Sequence, residues 1–165
     1  MNRLLKTAIA LAIAVSGSSR ASSPGGLRLM AKEIPHIAIR VEDIKSELTR
    51  NGANVEAVRN QVELAIRRCG FTIDPLSKVR MSVKVSGLSQ EGSGYSGIVL
   101  IHVWIGERVR GELVLIEGWS EGMTISGPSG GAAPQIRDVI SHLLDQFCNE
   151  YLKAREEVHK GAKGG

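Results

Sequence analysis

The side chains best suited to acid–base or metal chemistry are four histidines, and they are scattered along the chain: His36, His102, His142 and His159. A zinc site commonly uses two histidines three to five residues apart, or histidine together with closely spaced cysteines. None of the four has such a neighbour. His102 lies within an apolar run, where a hydrogen-bonded structural histidine is the simpler interpretation. The sequence therefore predicts no metal site.

Nucleophile and phosphate-binding motifs are equally hard to find. Ser96 and Ser120 do not lie in the Gly-x-Ser-x-Gly turn that exposes a catalytic serine. The glycine-rich segment 127–131 precedes a helix, but it lacks the Lys and the Ser or Thr of a phosphate-binding loop. A flexible connector is the simpler interpretation of this segment. We therefore predict no catalytic residue, no cofactor and no enzymatic activity.

The two cysteines, Cys69 and Cys148, admit two interpretations. An oxidising compartment would allow them to form a disulfide, provided that their Cα atoms lie about 4.4–6.8 Å apart. Otherwise both are buried thiols. Cys69 follows two arginines, but it also falls at the apolar spacing of a predicted helix, which argues against a reactive thiolate.

The first 21 residues have the layout of a secretory signal peptide. Arg3 and Lys6 precede a short apolar run, Ala8–Val15, and small residues follow it. The predicted location is therefore periplasmic or secreted, and the run is too short to span a membrane. No Cys follows it closely, so the sequence predicts no lipid attachment there. Translation from Met30 would instead leave the protein cytoplasmic.

Charge argues against nucleic acid as a partner. The 21 basic residues include Arg3, Lys6 and Arg20, so removal of the predicted signal peptide leaves 18 basic against 17 acidic residues, a net charge of +1. Basic and acidic residues are interspersed, whereas nucleic-acid binders concentrate basic charge on one face. No later apolar segment is long enough to predict a membrane span.

Hydrophobic periodicity predicts an α+β fold of order β-α-β-β-β-α. The predicted elements are a strand over 34–44, a helix over 55–69, strands over 79–85, 98–105 and 113–116, and a helix over 136–152. Alternatively, the strand at 113–116 extends through Trp119 towards Met123 and Ile125. We expect a two-layer sandwich with a four-stranded, mostly antiparallel sheet and two helices on one face. Segment 87–97 is predicted to be a glycine-rich hairpin loop and 106–108 a turn.

The domain prediction follows from this pattern. Residues 1–21 form the signal peptide, 22–33 a flexible linker rich in Ser, Gly and Pro, and 34–155 the α+β domain. A polar tail, 156–165, is expected to be disordered.

One strand hints at a partner because it is apolar on both sides. Alternation places Ile98, Leu100, His102 and Trp104 on one face and the intervening residues on the other. Helices on one side of the sheet cover a single face, so a linker, a loop, a second subunit or a ligand must cover the other. The sequence does not assign which face is open. We predict Tyr95, His102, Trp104 and Trp119 as partner-contact residues; alternatively, both tryptophans close the core at the sheet's end.

The segments 62–70, 81–85, 118–120 and 144–152 together resemble those of small exported bacterial proteins of unassigned function. The resemblance implies export and an α+β fold, and it supplies no active-site residues.

The sequence thus favours a non-catalytic exported protein that acts through protein–protein contact, either as a homo-oligomer or with an envelope protein. The alternative is a carrier or sensor of a small apolar or lipid ligand, which would require a cavity. A hydrolytic enzyme is the least favoured function.

Overall fold

The structure is a computed structural model that describes residues 24–32, 36–42, 44, 46–49, 52–90, 94–128 and 130–163. The predicted signal peptide, residues 1–21, lies outside the described residues.

The described residues form helices and strands in the order α-β-α-α-β-β-β-β-α. The helices are α1 (Pro24–Ala31), α2 (Ser46–Thr49), α3 (Val55–Arg68) and α4 (Ala132–Lys163). The strands are β1 (His36–Val41), β2 (Thr72–Ile73), β3 (Val79–Gln90), β4 (Gly94–Val109) and β5 (Glu112–Gly127). None of the described helices is both long enough and apolar enough to cross a membrane.

The strands form one mixed sheet in the order β2-β1-β3-β4-β5. β1 pairs in parallel with both β2 and β3, whereas β3–β4 and β4–β5 are antiparallel hairpins. The predicted α+β class is confirmed, but the sheet has a fifth strand, the two-residue β2. Two residues carry too little alternation for a strand to be read from sequence.

Helices α3 and α4 cover one face of the sheet, here called the inner face. The Asn54 side chain caps α3 by accepting hydrogen bonds from the backbone N–H groups of Glu56 (2.8 Å) and Ala57 (3.2 Å). Val58, Val62 and Ile66 form the buried stripe of α3. The corresponding stripe of α4 consists of Ile136, Ile140, Leu143, Leu144, Phe147 and Tyr151, each at most 1% exposed.

Residues 24–31 form a helix where the sequence predicted a flexible linker. Leu27, Met30 and Ala31 of α1 are buried in the core, and α1 contacts both α4 and β5. The helix begins at Pro24, because proline is favoured in the first turn, where its missing N–H costs no hydrogen bond. Composition indicated a linker; tertiary contacts with α4 and β5 instead stabilise a helix.

The last helix also continues further than expected. We predicted a disordered tail over 156–165, but α4 runs to Lys163. The extension packs against α1, and Arg28 of α1 lies 2.8 Å from the carboxylate of Glu157. Because α1 is itself a helix rather than a linker, the end of α4 has a partner that the sequence did not predict.

The two hairpins have longer arms than predicted. β3 continues to Gln90 and β4 begins at Gly94, so most of the predicted glycine-rich loop is paired strand. The predicted turn at 106–108 is also strand. The chain reverses instead at Arg110 and Gly111, which both have positive φ (52° and 89°), as a tight two-residue turn requires.

A disulfide joins Cys69, at the end of α3, to Cys148 on α4, with Cα atoms 5.7 Å apart. This resolves the two interpretations of the cysteines in favour of the bond. The bond links segments 79 residues apart, and a disulfide typically stabilises a fold by about 2–4 kcal/mol.

Candidate functional site: the outer sheet face and the hairpin arm

The face of the sheet opposite α3 and α4, here called the outer face, carries one apolar column along β4. Its four members, Ile98, Leu100, His102 and Trp104, are all partly exposed. The intervening residues Val99, Ile101 and Val103 are fully buried on the inner face. The structure thus distinguishes the two faces that the sequence left unassigned: among the described residues, the histidine side of β4 is the partly exposed one.

Polar and charged residues of the neighbouring strands flank this column. The β3 residues beside the column are Arg80, Ser82, Lys84 and Ser86, and the β5 residues are Glu117, Ser120, Gly122 and Thr124. In register, Trp104 lies between Arg80 and Glu117, and His102 lies between Ser82 and Ser120. The outer face therefore has an apolar centre, a basic side on β3 and an acidic residue on β5.

The basic side is partly neutralised by Glu42, which follows β1. The carboxylate of Glu42 accepts a hydrogen bond from the Ser82 hydroxyl (3.0 Å) and lies 3.8 Å from the Lys84 ammonium. The Lys84 and Glu42 side chains are partly exposed, so their ion pair contributes little to stability. They leave the charges available to contact a partner.

His102 is the centre of a small polar cluster. Its Nδ1 lies 3.0 Å from Ser120 Oγ and 3.4 Å from Glu117 Oε1. A serine–histidine–carboxylate relay needs the serine and the carboxylate on opposite ring nitrogens. Here both lie beside the same nitrogen, so this arrangement does not activate Ser120 as a nucleophile.

The imidazole of His102 also stacks on the Trp104 indole, with ring centroids 5.8 Å apart and an interplanar angle of 15°. The two adjacent rings therefore form one flat, partly exposed aromatic surface on the outer face. His102 and Trp104 are thus the two predicted contact residues that the structure brings together on an accessible face.

Trp119 and Tyr95 are not accessible, and their prediction as contact residues is wrong. Trp119 is fully buried, with its Nε1–H donating to Glu150 (3.1 Å) and its ring edge against Phe147. Tyr95 is 6% exposed and donates its hydroxyl to Gln135 (2.7 Å). Burial raises the pKa of Tyr95. For Trp119, the alternative interpretation as a core residue is the correct one.

A bulge in β5 explains why Trp119 turns inward. Trp104 pairs with Glu117 and Val103 pairs with Trp119, so Gly118 is an extra residue between them. Strict alternation would place Glu117 and Trp119 on the same face. The bulge reverses this relation, leaving Glu117 on the outer face and Trp119 in the core.

A second exposed apolar feature, which was not predicted from the sequence, lies at the far end of the β4–β5 hairpin. β3 begins at Val79, which pairs with Ile105, so residues 106–115 extend beyond β3; we call this segment the hairpin arm. Four of its apolar side chains are exposed: Val109 (51%), Leu113 (64%), Val114 (40%) and Leu115 (54%). The sequence feature that indicates this patch is the unbroken apolar run Leu113-Val114-Leu115, from which only a strand was predicted.

The described residues also form two surface grooves between helices. One, of about 390 Å³, lies between α3 and α4 beside Cys69, with Arg68 and Asp145 in its lining. The other, of about 540 Å³, lies between α1 and the end of α4 and is lined by Arg28, Lys32 and Glu157, among others. Within the described residues, no three His, Cys, Asp or Glu side chains are grouped so as to hold a metal ion.

Comparison with known proteins yields distant structural likenesses. No family model and no curated protein matches the chain. A dodecamer of a PelC point variant from Paraburkholderia phytofirmans is 16% identical, with a TM-score of 0.46 over 78% of this chain and 93% of that one. A minor lipoprotein from Acinetobacter baumannii is 12% identical, with a TM-score of 0.42 over 74% and 94%.

A putative lipoprotein from Caulobacter crescentus CB15 is also 12% identical, with a TM-score of 0.32 over 87% of this chain and 100% of that one. Two of these three neighbours are thus described as bacterial lipoproteins. Likenesses this distant do not establish the function of the chain.

Proposed function

We propose that this chain is a non-catalytic exported protein that acts through protein–protein contact, using the outer face around Trp104 together with the hairpin arm. The observation that carries the proposal is the unequal covering of β4. Its inner residues are fully buried by helices, whereas its outer apolar column stays partly exposed and continues towards the exposed leucines of the arm.

Continuity between the column and the arm strengthens the proposal. Leu113 pairs with Arg108 and Leu115 with Gly106, so both leucines lie on the same face as Trp104. A Cβ added to Gly106 would lie 3.3 Å from the Leu113 side chain, so Leu113 leans over this glycine. Large contiguous apolar patches with polar rims are typical of protein interaction sites.

Export is proposed from the amino-terminal sequence, with its short apolar run after Arg3 and Lys6. A partner for this surface is therefore expected in the cell envelope or outside the cell. The disulfide between Cys69 and Cys148 is compatible with such an oxidising compartment.

The alternative functions have less support. A carrier of an apolar ligand needs a cavity between helices and sheet, but aromatic rings pack closely there: the centroids of Phe71 and Tyr151 are 4.5 Å apart, and those of Trp119 and Phe147 5.4 Å apart. A hydrolase needs an activated nucleophile, and the shared nitrogen of His102 does not supply one.

Photo-cross-linking in intact cells tests the proposal. A benzophenone amino acid is placed at position 104 or 113, and the matched control is placed at position 76. Leu76 is 92% exposed on the turn before β3 and belongs neither to the apolar column nor to the hairpin arm. We expect a discrete cross-linked species of higher mass from positions 104 and 113 and none from position 76. The same yield at all three positions, or no product at any, would overturn the proposal.

A further inference from the structure

The hairpin arm lies at an edge of the sheet. In the described part of the chain β5 is the last strand of the sheet, so one side of its backbone has no neighbouring strand. Both side-chain faces of the arm are exposed as well, since Leu113 and Leu115 point one way and Val114 the other. An exposed apolar edge strand is a template for pairing with another strand, and natural proteins usually protect such edges.

We infer that the arm pairs with the arm of a second copy of this chain, β5 against β5 in antiparallel order, about a two-fold axis at Val114. The inference rests on the proposed function and names a partner for the hairpin arm alone, since this pairing leaves the outer face around Trp104 uncovered. It would join two five-stranded sheets into one continuous sheet with both outer faces on the same side.

Symmetry restricts the register. A two-fold axis normal to the sheet keeps each outer face outward, so an outer residue must pair with an outer residue and the axis must pass through a residue position. Centred on Val114, the pairing places Val114 opposite itself and Leu113 opposite the second copy's Leu115. Both leucine pairs and the valine pair then form cross-strand apolar contacts.

The neighbouring registers are poorer. Centred on Leu113, the pairing sets Leu115 opposite the turn residue Gly111 and Val114 opposite Glu112. Centred on Leu115, it sets Leu113 opposite Glu117. That register also pairs Gly118, whose backbone already contacts α1: a Cβ on Gly26 would lie 2.5 Å from Gly118 Cα. The Val114 register uses residues 111–117 and stops just before this contact.

Charge also favours the Val114 register. It sets Glu117 opposite the second copy's Gly111, next to the second copy's Arg110. Because the two-fold axis relates the copies, this Glu117–Arg110 neighbourhood occurs twice, once at each end of the paired segment. Opposite charges at the rim of an interface orient the approach of the partners and fix their register.

The contact is small, which sets its expected strength. Seven paired residues bury less than the roughly 800 Å² per partner of a standard interface. We therefore expect a dissociation constant of about 1–100 μM. The exported, disulfide-bonded chain should be monomeric well below that range and dimeric well above it.

A charge-swap experiment tests the axis, because only a residue on the axis meets its own copy. Sedimentation velocity compares the wild type, Val114→Lys, Val114→Glu and an equimolar mixture of the two variants. The matched control is Leu76→Lys, which adds the same charge at an exposed leucine outside the arm. We expect each Val114 variant alone to be at least tenfold weaker in dimerisation, the mixture to recover the dimer, and the control to match the wild type.

A cysteine variant tests the same axis without a change of charge. Facing Cα atoms in antiparallel strands lie about 4.5–5.5 Å apart, which is within disulfide reach. Val114→Cys should therefore oxidise to a covalent dimer above the dissociation constant, and Leu76→Cys should not.

Two results would overturn the inference: a wild type that stays monomeric at about ten times the upper end of the expected range, or Val114 variants that dimerise like the wild type. Cross-linking and sedimentation together distinguish a failure of this inference from a failure of the proposed function. If positions 104 and 113 cross-link a different protein while the chain stays monomeric, contact is supported and self-pairing is wrong. If neither position cross-links anything, the proposed function itself fails.

Discussion

The two sides of strand β4 are similar in hydrophobicity, but one is buried and the other is partly exposed. On one side Val99, Ile101 and Val103 are fully buried beneath the helices. On the other, Leu100 and Trp104 lie on the open face and stay partly exposed. Whether an apolar side chain belongs to the core or to a contact surface is therefore decided by where the helices pack, a tertiary property that the hydrophobicity of the strand does not encode.

The difference has an energetic counterpart. Burying an aliphatic side chain completely stabilises a fold by about 1.5–3 kcal/mol. Each fully buried side chain on the inner side of β4 therefore contributes this full burial free energy to folding. The side chains on the outer side contribute only part of this burial free energy when the chain is alone. The remainder becomes available on contact with a partner, which is why we treat the outer side as the functional one.

The two tryptophans provide the sharpest test of this contrast and the largest expected effect. Trp119→Ala should lower the free energy of unfolding by about 3–5 kcal/mol, because it empties a fully buried site against Phe147. Trp104→Ala should cost less than about 1 kcal/mol in the isolated chain. Urea titration followed by circular dichroism measures both, and equal losses would contradict the assignment of the two faces.

Removing the disulfide should have the next largest effect. It tests the helical layer, α3 and α4, that covers the inner face. Substituting both Cys69 and Cys148 with serine removes the bond between α3 and α4, and we expect a loss of about 2–4 kcal/mol in chemical denaturation. Cross-linking from position 104 should persist under conditions where the variant remains folded. Loss of that cross-link in a folded variant would mean that the outer face depends on the helical layer.

A smaller effect is expected where α1 meets β5. Gly26→Ala places a Cβ within 2.5 Å of Gly118 Cα, so α1 must move away from the strand. We expect a loss of about 1–3 kcal/mol and faster hydrogen exchange over residues 24–31. The control is Gly161→Ala in α4, where the added Cβ meets no described residue within 4 Å apart from its chain neighbours and the adjacent helix backbone. Alanine there should be neutral or stabilising by up to about 1 kcal/mol.

The smallest effect is expected at alkaline pH. Burial raises the pKa of Tyr95 and of Tyr151 above the usual 10.0, although Arg155 opposes the shift at Tyr151. Between the unfolded and folded pKa values the unfolded chain has released more protons, so stability should fall as the pH rises above about 10. Replacing both tyrosines with phenylalanine should flatten this slope, measured by denaturation at successive pH values. An unchanged slope would remove the tyrosines as its cause.

The local hydrophobic pattern was sufficient to predict the helix and the strand that cover and line the inner face. The strict alternation of Val79, Met81, Val83 and Val85 predicted β3, and the stripe after Asn54 predicted a helix over 55–69 that agrees with α3 within one residue. These elements follow from hydrophobic period and capping, both of which are written into neighbouring residues.

Tertiary context decided the features that sequence reasoning missed. Pro24, Gly25 and Gly26 have the composition of a linker, yet Gly26 is what allows α1 to approach Gly118 closely. The same Gly118 forms the bulge that turns Trp119 into the core, so the predicted contact role of Trp119 failed there. The contact role of Trp104 remains a prediction, because the partner lies outside the chain.

The most direct test of the contact surface is hydroxyl-radical footprinting in intact cells, compared with dilute purified protein. Trp104 and Leu113 should be modified several-fold more slowly in cells, where a partner covers them, whereas Leu76 should react equally in both. If all three residues react in cells as they do in dilute solution, the outer face is uncovered and this chain does not act as a contact protein.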